Sequence, residues 1–250
     1  MVVFASISGI GLLATAAPWA KQWIPWTQSV AQLRSVLGKH SYFSIREIRV
    51  AGSRRLSGAQ IVSLAGLNPG MNIWEIDPSS VETKLNGHPW IRRGMVRREF
   101  PHRVLIRVTE WVPKAIVALE KLYYVDHEGY IFKEVQSGDE VNLPFITGLG
   151  NEESVFDNPF ARQKMVEAIK LNDRLASSSV VLSEIRFLPD EGVVVYPITH
   201  RVPLYMGWGG WPVKVRRLKR VLAEWKGKET KLASLNMSFR NQIVVRLKGD

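Results

Sequence analysis

The residues of this sequence whose types best suit acid–base or metal chemistry are Asp126-His127-Glu128. Two carboxylates beside an imidazole could move a proton or bind a metal ion, provided that further acids or histidines came close. The chain has five histidines, however, and no two of them have the spacing of a metal site on one helix. Because Gly129 follows the run and apolar segments flank it, we interpret it as the turn of a β-hairpin.

Two other features match motifs of catalysis or phosphate binding only in part. Ser57 lacks the flanking glycines of a nucleophile elbow, and its spacing to Gln60 predicts a helix cap instead. The run Gly207-Trp208-Gly209-Gly210 lacks the spacing and the lysine of a P-loop. The absence of cysteine excludes disulfides, thiolate zinc sites and cysteine nucleophiles. We therefore predict that the protein is not an enzyme and uses no cofactor or metal.

The net charge of +11 is unevenly distributed over the 250 residues. Residues 113–200 contain 14 acidic and 8 basic side chains, whereas residues 201–250 contain 12 basic and 3 acidic ones. An acidic middle region would repel nucleic acid, so we predict that nucleic acid is not a partner. The hydrophobic fraction of 46% excludes a disordered chain.

Residues 1–20 carry no charged side chain. A helix of about 20 residues can cross a hydrocarbon core about 30 Å thick. We therefore predict a transmembrane anchor over residues 1–24 and a juxtamembrane connector over residues 25–41. Its predicted lipid-contacting residues are Val2, Val3, Phe4, Ile7, Ile10, Leu12, Leu13 and Trp19.

Two alternatives for this segment remain open, namely a cleaved signal peptide and a buried core helix. The first rests on Ala14-Thr15-Ala16, which resembles a cleavage site. No basic residue precedes the apolar run, so we expect the natural chain to carry a basic cytoplasmic stretch before residue 1.

The sequence pattern of residues 42–112 predicts five elements in the order strand, helix, helix, strand, strand. Alternating apolar residues over 43–50 favour the first strand. Ser57 and Asp77-Pro78 are typical first residues of helices. The last two strands are predicted over 91–99 and 103–110. Residues 113–250 predict several short strands, helices beginning at Asn158-Pro159 and Pro212, and a last strand over 242–247.

This order is that of a POTRA domain, and several segments resemble the FtsQ/DivIB family of bacterial cell-division proteins. The most specific segments are Pro89-Trp90-Ile91, Arg97-Arg98-Glu99-Phe100-Pro101 and Leu105-Ile106-Arg107-Val108-Thr109-Glu110. The resemblance implies an α+β fold, with an N-terminal transmembrane helix, a POTRA domain over residues 42–112 and a strand-rich mixed α/β domain over residues 113–250.

The resemblance also implies a function. A member of this family is expected to be a non-enzymatic divisome scaffold that crosses the cytoplasmic (inner) membrane once, with its bulk on the periplasmic side at the septum. It would bind FtsB- and FtsL-type partners, would link early division proteins to septal peptidoglycan synthesis, and could bind other divisome proteins through the POTRA domain.

The resemblance implies that partners bind by adding a strand at the far edge of the second domain. An edge strand permits this because it offers unpaired backbone groups. The matching residues are Phe239, Asn241, Ile243, Val244, Val245 and Leu247. The alternative is an ordinary last strand with Phe239 buried. On the predicted helix over 212–225, we expect the cations Lys214, Arg217 and Arg220 either to steer acidic partners or to form a solvated face.

Two other functions require features that the sequence lacks. A POTRA protein of outer-membrane assembly or secretion requires POTRA repeats or a long run of alternating strands, and residues 113–250 show neither. An envelope enzyme requires converging acids, bases or metal ligands, which the sequence does not offer.

Overall fold

The computed structural model describes residues 41–139, 142–199 and 202–249. The predicted anchor, from Val2 to Trp19 and beyond, and nearly all of the connector therefore lie outside the described residues. Within the described ranges, no helix has the length and apolar character needed to cross a membrane.

The N-terminal unit contains three strands and two helices in the predicted order. They are β1 (Glu47–Ala51), α1 (Gly58–Ala65), α2 (Pro78–Asn86), β2 (Ile91–Glu99) and β3 (Arg103–Glu110). Strand β3 is central, with β1 parallel and β2 antiparallel to it. The alternation predicted for β3 is confirmed, since Val104, Ile106 and Val108 are all buried in the core that this sheet shares with the helices.

The helix starts of this unit are those that the sequence predicts. Ser57 and Gln60 form a reciprocal capping box at α1, which satisfies two backbone donors. Asp77 accepts hydrogen bonds from the amides of Ser79 and Ser80, which caps α2. The first strand is shorter than predicted, because Ser44 forms only an isolated bridge with the loop before α2 and regular pairing begins at Glu47.

The second unit is a nine-stranded mixed sheet. Its strands are β4 (Pro113–Ala118), β5 (Leu122–Asp126), β6 (Ile131–Glu134), β7 (Phe145–Thr147), β8 (Leu182–Leu188), β9 (Gly192–Pro197), β10 (Leu204–Gly207), β11 (Leu232–Asn236) and β12 (Val244–Leu247). Its helices are α3 (Glu152–Val155), α4 (Pro159–Ala176) and α5 (Trp211–Glu224). The strand order is β12-β11-β10-β9-β8-β7-β4-β5-β6, and residues of α4 and α5 share one core with the sheet.

Three elements of this sheet unit were not predicted from the sequence, namely β7, α3 and β11. Strand β11 matters most for function, because it pairs in parallel with β10 and in antiparallel with β12. It therefore places β12 at one end of the sheet. The last strand also begins later than the predicted residue 242, since its pairing with β11 begins at Val244.

A third group of buried side chains joins the two units. We call Trp90, Ile116, Tyr124 and Phe132 the junction cluster. The Arg55 guanidinium lies 3.8 Å from the centre of the Trp90 ring, and the Trp90 and Tyr124 ring centres are 5.3 Å apart. Because Trp90 precedes β2 and the other three lie on β4, β5 and β6, burial of this cluster couples the N-terminal unit to the far end of the sheet.

Candidate partner-binding edge

Strand β12 forms one edge of the nine-stranded sheet, with β11 as its single neighbour among the described residues. Val244 pairs with Asn236, and Val245 pairs with Leu235. An edge strand directs every second backbone amide and carbonyl away from the sheet, where another strand can bind them.

A hydrogen bond just after β12 indicates which amides of the strand point outward. The amide of Lys248 donates to the carbonyl of Lys231 at 2.9 Å, so Lys248 faces β11. Because successive residues of a strand alternate, Val244 and Arg246 also direct their amides toward β11. Val245 and Leu247 then direct theirs toward the open side, with the extra residue of the irregular pairing on β11, between Leu232 and Ser234.

The side chains around this edge divide into a buried and an exposed set. Ile243 and Val245 are partly buried and pack against the core of the sheet unit. Phe239 is 45% exposed and Val244 is 44% exposed, and Leu247 and Asn241 are also exposed. The alternative of a buried Phe239 is therefore wrong. The edge combines unpaired backbone groups with accessible apolar side chains.

The loop that carries Phe239 is held in place on both sides. The amide of Met237 donates to the carbonyl of Tyr205 at 2.8 Å, and Met237 itself is buried. The Arg217 guanidinium donates to the carbonyl of Arg240. A ligand-binding loop that is already ordered loses less conformational entropy on association. We call Phe239 and β12 together the terminal edge.

The basic helix α5 differs in part from the prediction. Lys214 is only 8% exposed, and its ammonium donates to the carbonyl oxygens of Met206 at 2.7 Å and Trp208 at 3.2 Å. Lys214 therefore cannot present a free charge to a partner, which corrects its predicted steering role. Burial also lowers the pKa of the Lys214 ammonium below its usual value. Arg217 is partly buried and supports the loop, whereas Arg220 is exposed.

The run Asp126-His127-Glu128 forms the predicted hairpin turn between β5 and β6. One carboxylate oxygen of Asp126 accepts from the amides of Glu128 at 3.0 Å and Tyr130 at 2.8 Å. Its other oxygen lies 3.5 Å from the Arg92 guanidinium of the N-terminal unit. No group of three or more potential metal ligands occurs in the described ranges.

This link between Arg92 and Asp126 could not be predicted from the sequence. The sequence predicted only a turn at Asp126, and Arg92 lies 34 positions before it. The only sequence evidence for this ion pair is that a carboxylate and an arginine each lie near a predicted hairpin. Many pairs of residues meet that condition, so it does not identify the contact. The link is structural, because it joins the N-terminal unit to the sheet unit.

Comparison with known proteins identifies the family. The model of the FtsQ-type POTRA domain matches residues 43–111. The cell division protein FtsQ of Syntrophotalea carbinolica is 31% identical over 210 residues, covering 82% of this chain and 74% of that protein. FtsQ of Geobacter sp. (strain M21) is 30% identical over 219 residues, covering 86% and 80%, respectively. The cell division protein DivIB of Geobacillus kaustophilus is 32% identical over 68 residues, covering 27% and 26%. With two relatives matched at this identity over most of their length, the chain belongs to the FtsQ/DivIB family of cell-division proteins.

Proposed function

We propose that this protein is a non-enzymatic divisome scaffold that binds FtsB- and FtsL-type partners by strand addition to the terminal edge. The observation that supports the proposal is the open side of β12, where the amides of Val245 and Leu247 point outward beside exposed Phe239 and Val244. A partner strand on this side would satisfy the backbone groups and cover the apolar side chains.

The energetics assign different roles to the backbone and the side chains. A protein hydrogen bond contributes about 0.5–1.5 kcal/mol net, so the few outward groups of this short strand give limited affinity alone. Association also costs at least about 4 kcal/mol of lost translational and rotational freedom. Burial of an exposed aromatic ring such as Phe239 is therefore required as an anchor.

The basic character of residues 201–250 supports binding of an acidic partner. Residues 201–250 hold 12 basic and 3 acidic side chains, and both Arg246 on β12 and Arg220 on α5 are exposed. Exposed charges of this kind raise the association rate and favour partners of opposite charge more than they raise affinity. Lys214 is excluded from this set because it is buried.

We further propose that residues 1–24 anchor the chain in the cytoplasmic membrane as a single span, with the bulk outside the cytoplasm at the septum. The uncharged stretch of residues 1–20 and membership of the family support this topology. In that position the scaffold would link early division proteins to septal peptidoglycan synthesis. Surfaces of the POTRA domain remain available for other divisome proteins.

The test is binding of the full chain in detergent micelles to the extracytoplasmic segments of the FtsB- and FtsL-type proteins from the same organism. Phe239→Ala should weaken binding by about tenfold or more, as expected for a central aromatic anchor. Phe160→Ala is the matched control, since Phe160 is 78% exposed on α4 and lies outside the terminal edge.

Two results would contradict the proposal. The first is wild-type affinity in a folded Phe239→Ala variant, which would place the contact elsewhere. The second is the absence of binding by folded wild type, which would remove the scaffold function as proposed.

A further inference from the structure

Four aromatic residues close the end of the POTRA domain at which the described chain begins. Successive ring centres in the series Tyr42, Phe43, Trp74 and Phe100 lie 5.2, 5.9 and 4.4 Å apart. They come from the turn Ser41–Phe43, the loop before α2 and the β2–β3 turn. We call these four residues the aromatic cap.

Backbone hydrogen bonds tie the segments of the aromatic cap together. The amide of Ile73 donates to the carbonyl of Phe43 at 3.0 Å, and the amide of Ile45 donates to that of Met71 at 2.8 Å. The amide of Arg46 donates to the carbonyl of His102, next to the β2–β3 turn, at 2.9 Å. The cap is therefore a preformed surface that needs no ordering before it binds.

Much of the aromatic cap is accessible to solvent. Tyr42 is 58% exposed and Phe100 is 48% exposed. The exposed Arg46 follows the cap segment Tyr42–Phe43 closely in the chain. The partly buried Arg98 guanidinium lies 5.7 Å from the centre of the Phe100 ring and donates to the carbonyl of Ile76 at 3.3 Å. Aromatic rings flanked by arginine are typical of the interface between a bilayer and water, where rings enter the headgroup layer and cations contact phosphates.

The position of the aromatic cap also points to a bilayer. Strand β3 runs from Arg103, next to the cap, to Glu110 at the opposite end of the domain, a distance of about 25 Å at 3.3 Å per residue. Strand β4 of the second unit begins shortly afterwards at Pro113. The cap therefore lies at the end of the POTRA domain remote from the sheet unit, where the chain arrives from the apolar residues 1–20.

We propose that the aromatic cap docks on the outer surface of the phospholipid bilayer, with Tyr42 and Phe100 in the headgroup layer and Arg46 and Arg98 near lipid phosphates. This inference rests on the membrane anchorage proposed above. The predicted connector over residues 25–41 could extend to about 60 Å, so the anchor alone does not hold the domain against the membrane. Because the anchor raises the effective concentration of lipid around the cap, a weak intrinsic affinity is sufficient for docking.

Docking would fix the direction of the whole extracytoplasmic region. With the cap on the bilayer, β3 leads away from the membrane toward the sheet unit. The terminal edge would then be presented to partners at a distance from the lipid surface.

Because the chain contains no cysteine, docking can be tested with single-cysteine probes. The full chain is reconstituted in vesicles of phosphatidylethanolamine and phosphatidylglycerol that include a lipid with a quencher near the headgroup. A nitrobenzoxadiazole fluorophore is attached at Glu75→Cys beside the cap, or at Arg54→Cys near the other end of the domain. Both residues are exposed. Because Glu75→Cys removes a negative charge and Arg54→Cys a positive one, quenching is also compared at high salt, where this difference is screened. We expect quenching that is several-fold stronger at position 75 than at position 54.

A second set of variants tests the cap itself. Tyr42→Ser combined with Phe100→Ser should reduce quenching at position 75 toward the level at position 54. Phe160→Ser, an exposed aromatic outside the cap, should leave it unchanged.

Three outcomes would overturn the inference. Equal quenching at positions 75 and 54 would show that the cap does not dock. Strong quenching that survives the double substitution would show that the tether alone holds the domain near the lipid. Failure of the chain to float with the vesicles on a density gradient would overturn the anchorage as well, which separates that failure from the first two.

Discussion

The two edges of the nine-stranded sheet differ in what lies beside them. At the β6 edge, Lys133 forms an ion pair with Asp139 at 2.7 Å, and Phe132 stacks on Trp111 with ring centres 5.1 Å apart. At the β12 edge, Phe239 and Val244 are exposed, and none of the β12 side chains forms an ion pair within the described part of the chain.

Under the proposed function, this difference separates an edge used within the molecule from one left for a partner. Charges on an edge strand oppose further pairing, and the aromatic face of β6 is already covered by the N-terminal unit. The terminal edge carries one charged side chain, the exposed Arg246, and within the described part of the chain no other unit covers its apolar side chains. Exposed apolar residues on an edge strand promote aggregation of a free protein, and the partner strand proposed above would cover them.

The largest effect that we expect comes from emptying the junction cluster. Trp90→Ala should lower the free energy of unfolding by about 3–5 kcal/mol, because it removes a large buried side chain and leaves a cavity. Urea unfolding followed by circular dichroism measures the change. Phe239→Ala, at the terminal edge, should change stability by less than about 0.5 kcal/mol. Similar stability losses in both variants would show that the two edges do not differ as described.

Proline substitutions at neighbouring positions test the direction of the β12 amides. Val245→Pro removes an outward donor and should weaken partner binding by about 100-fold, equivalent to about 2.7 kcal/mol, while leaving the sheet folded. Val244→Pro removes a donor that faces β11 and should lower the stability of the sheet instead. Calorimetric binding and thermal unfolding distinguish the two effects. A reversed pattern would show that the register assigned to the open side is wrong.

The link between Arg92 and Asp126 predicts a smaller loss of stability. Arg92→Ala leaves the buried carboxylate of Asp126 without its cation and should cost about 1–3 kcal/mol. Adding Asp126→Asn should recover part of that loss, because the neutral amide is less costly to bury than an unpaired charge. Arg220→Ala, an exposed arginine on α5, should change stability by less than about 0.5 kcal/mol. An equally small effect of Arg92→Ala would remove this contact from the junction.

The smallest expected effect is a pH dependence from Lys214. Burial lowers its pKa in the folded state below the unfolded value, so the folded protein carries a desolvation cost while the ammonium is charged. That cost is relieved as pH rises from the lowered pKa toward 10.5, the ordinary value for lysine, so stability should rise relative to Lys214→Met over this range. Denaturant unfolding of both proteins from neutral to alkaline pH measures the difference. A difference independent of pH would mean that Lys214 is not desolvated in solution.

Local rules predicted the parts of the fold that depend on neighbouring residues. The caps at Ser57 and Asp77, the alternation along β3 and the hairpin turn at Asp126 each need only a few adjacent positions. These features, together with the resemblance, were sufficient to predict the POTRA order and the last strand of the sheet.

The parts that depend on distant partners could not be predicted. The sequence of β11, from Leu232 to Asn236, contains no β-branched or aromatic residue, and it is a strand because β10 and β12 pair with it on both sides. Lys214 is near the N-terminus of α5, and only the carbonyl oxygens of Met206 and Trp208 make its burial possible. Sequence patterns identify a cation on a helix but not the carbonyl groups that will surround it.

The central claim is that a partner adds a strand to the open side of β12, and backbone amide exchange tests it most directly. NMR-detected hydrogen exchange would be measured on the full chain with and without the FtsB- and FtsL-type segments. The account predicts that the partner slows exchange at Val245 and Leu247, while Arg246, which already faces β11, changes little. Binding that leaves the exchange rates of Val245 and Leu247 unchanged would contradict strand addition at this edge.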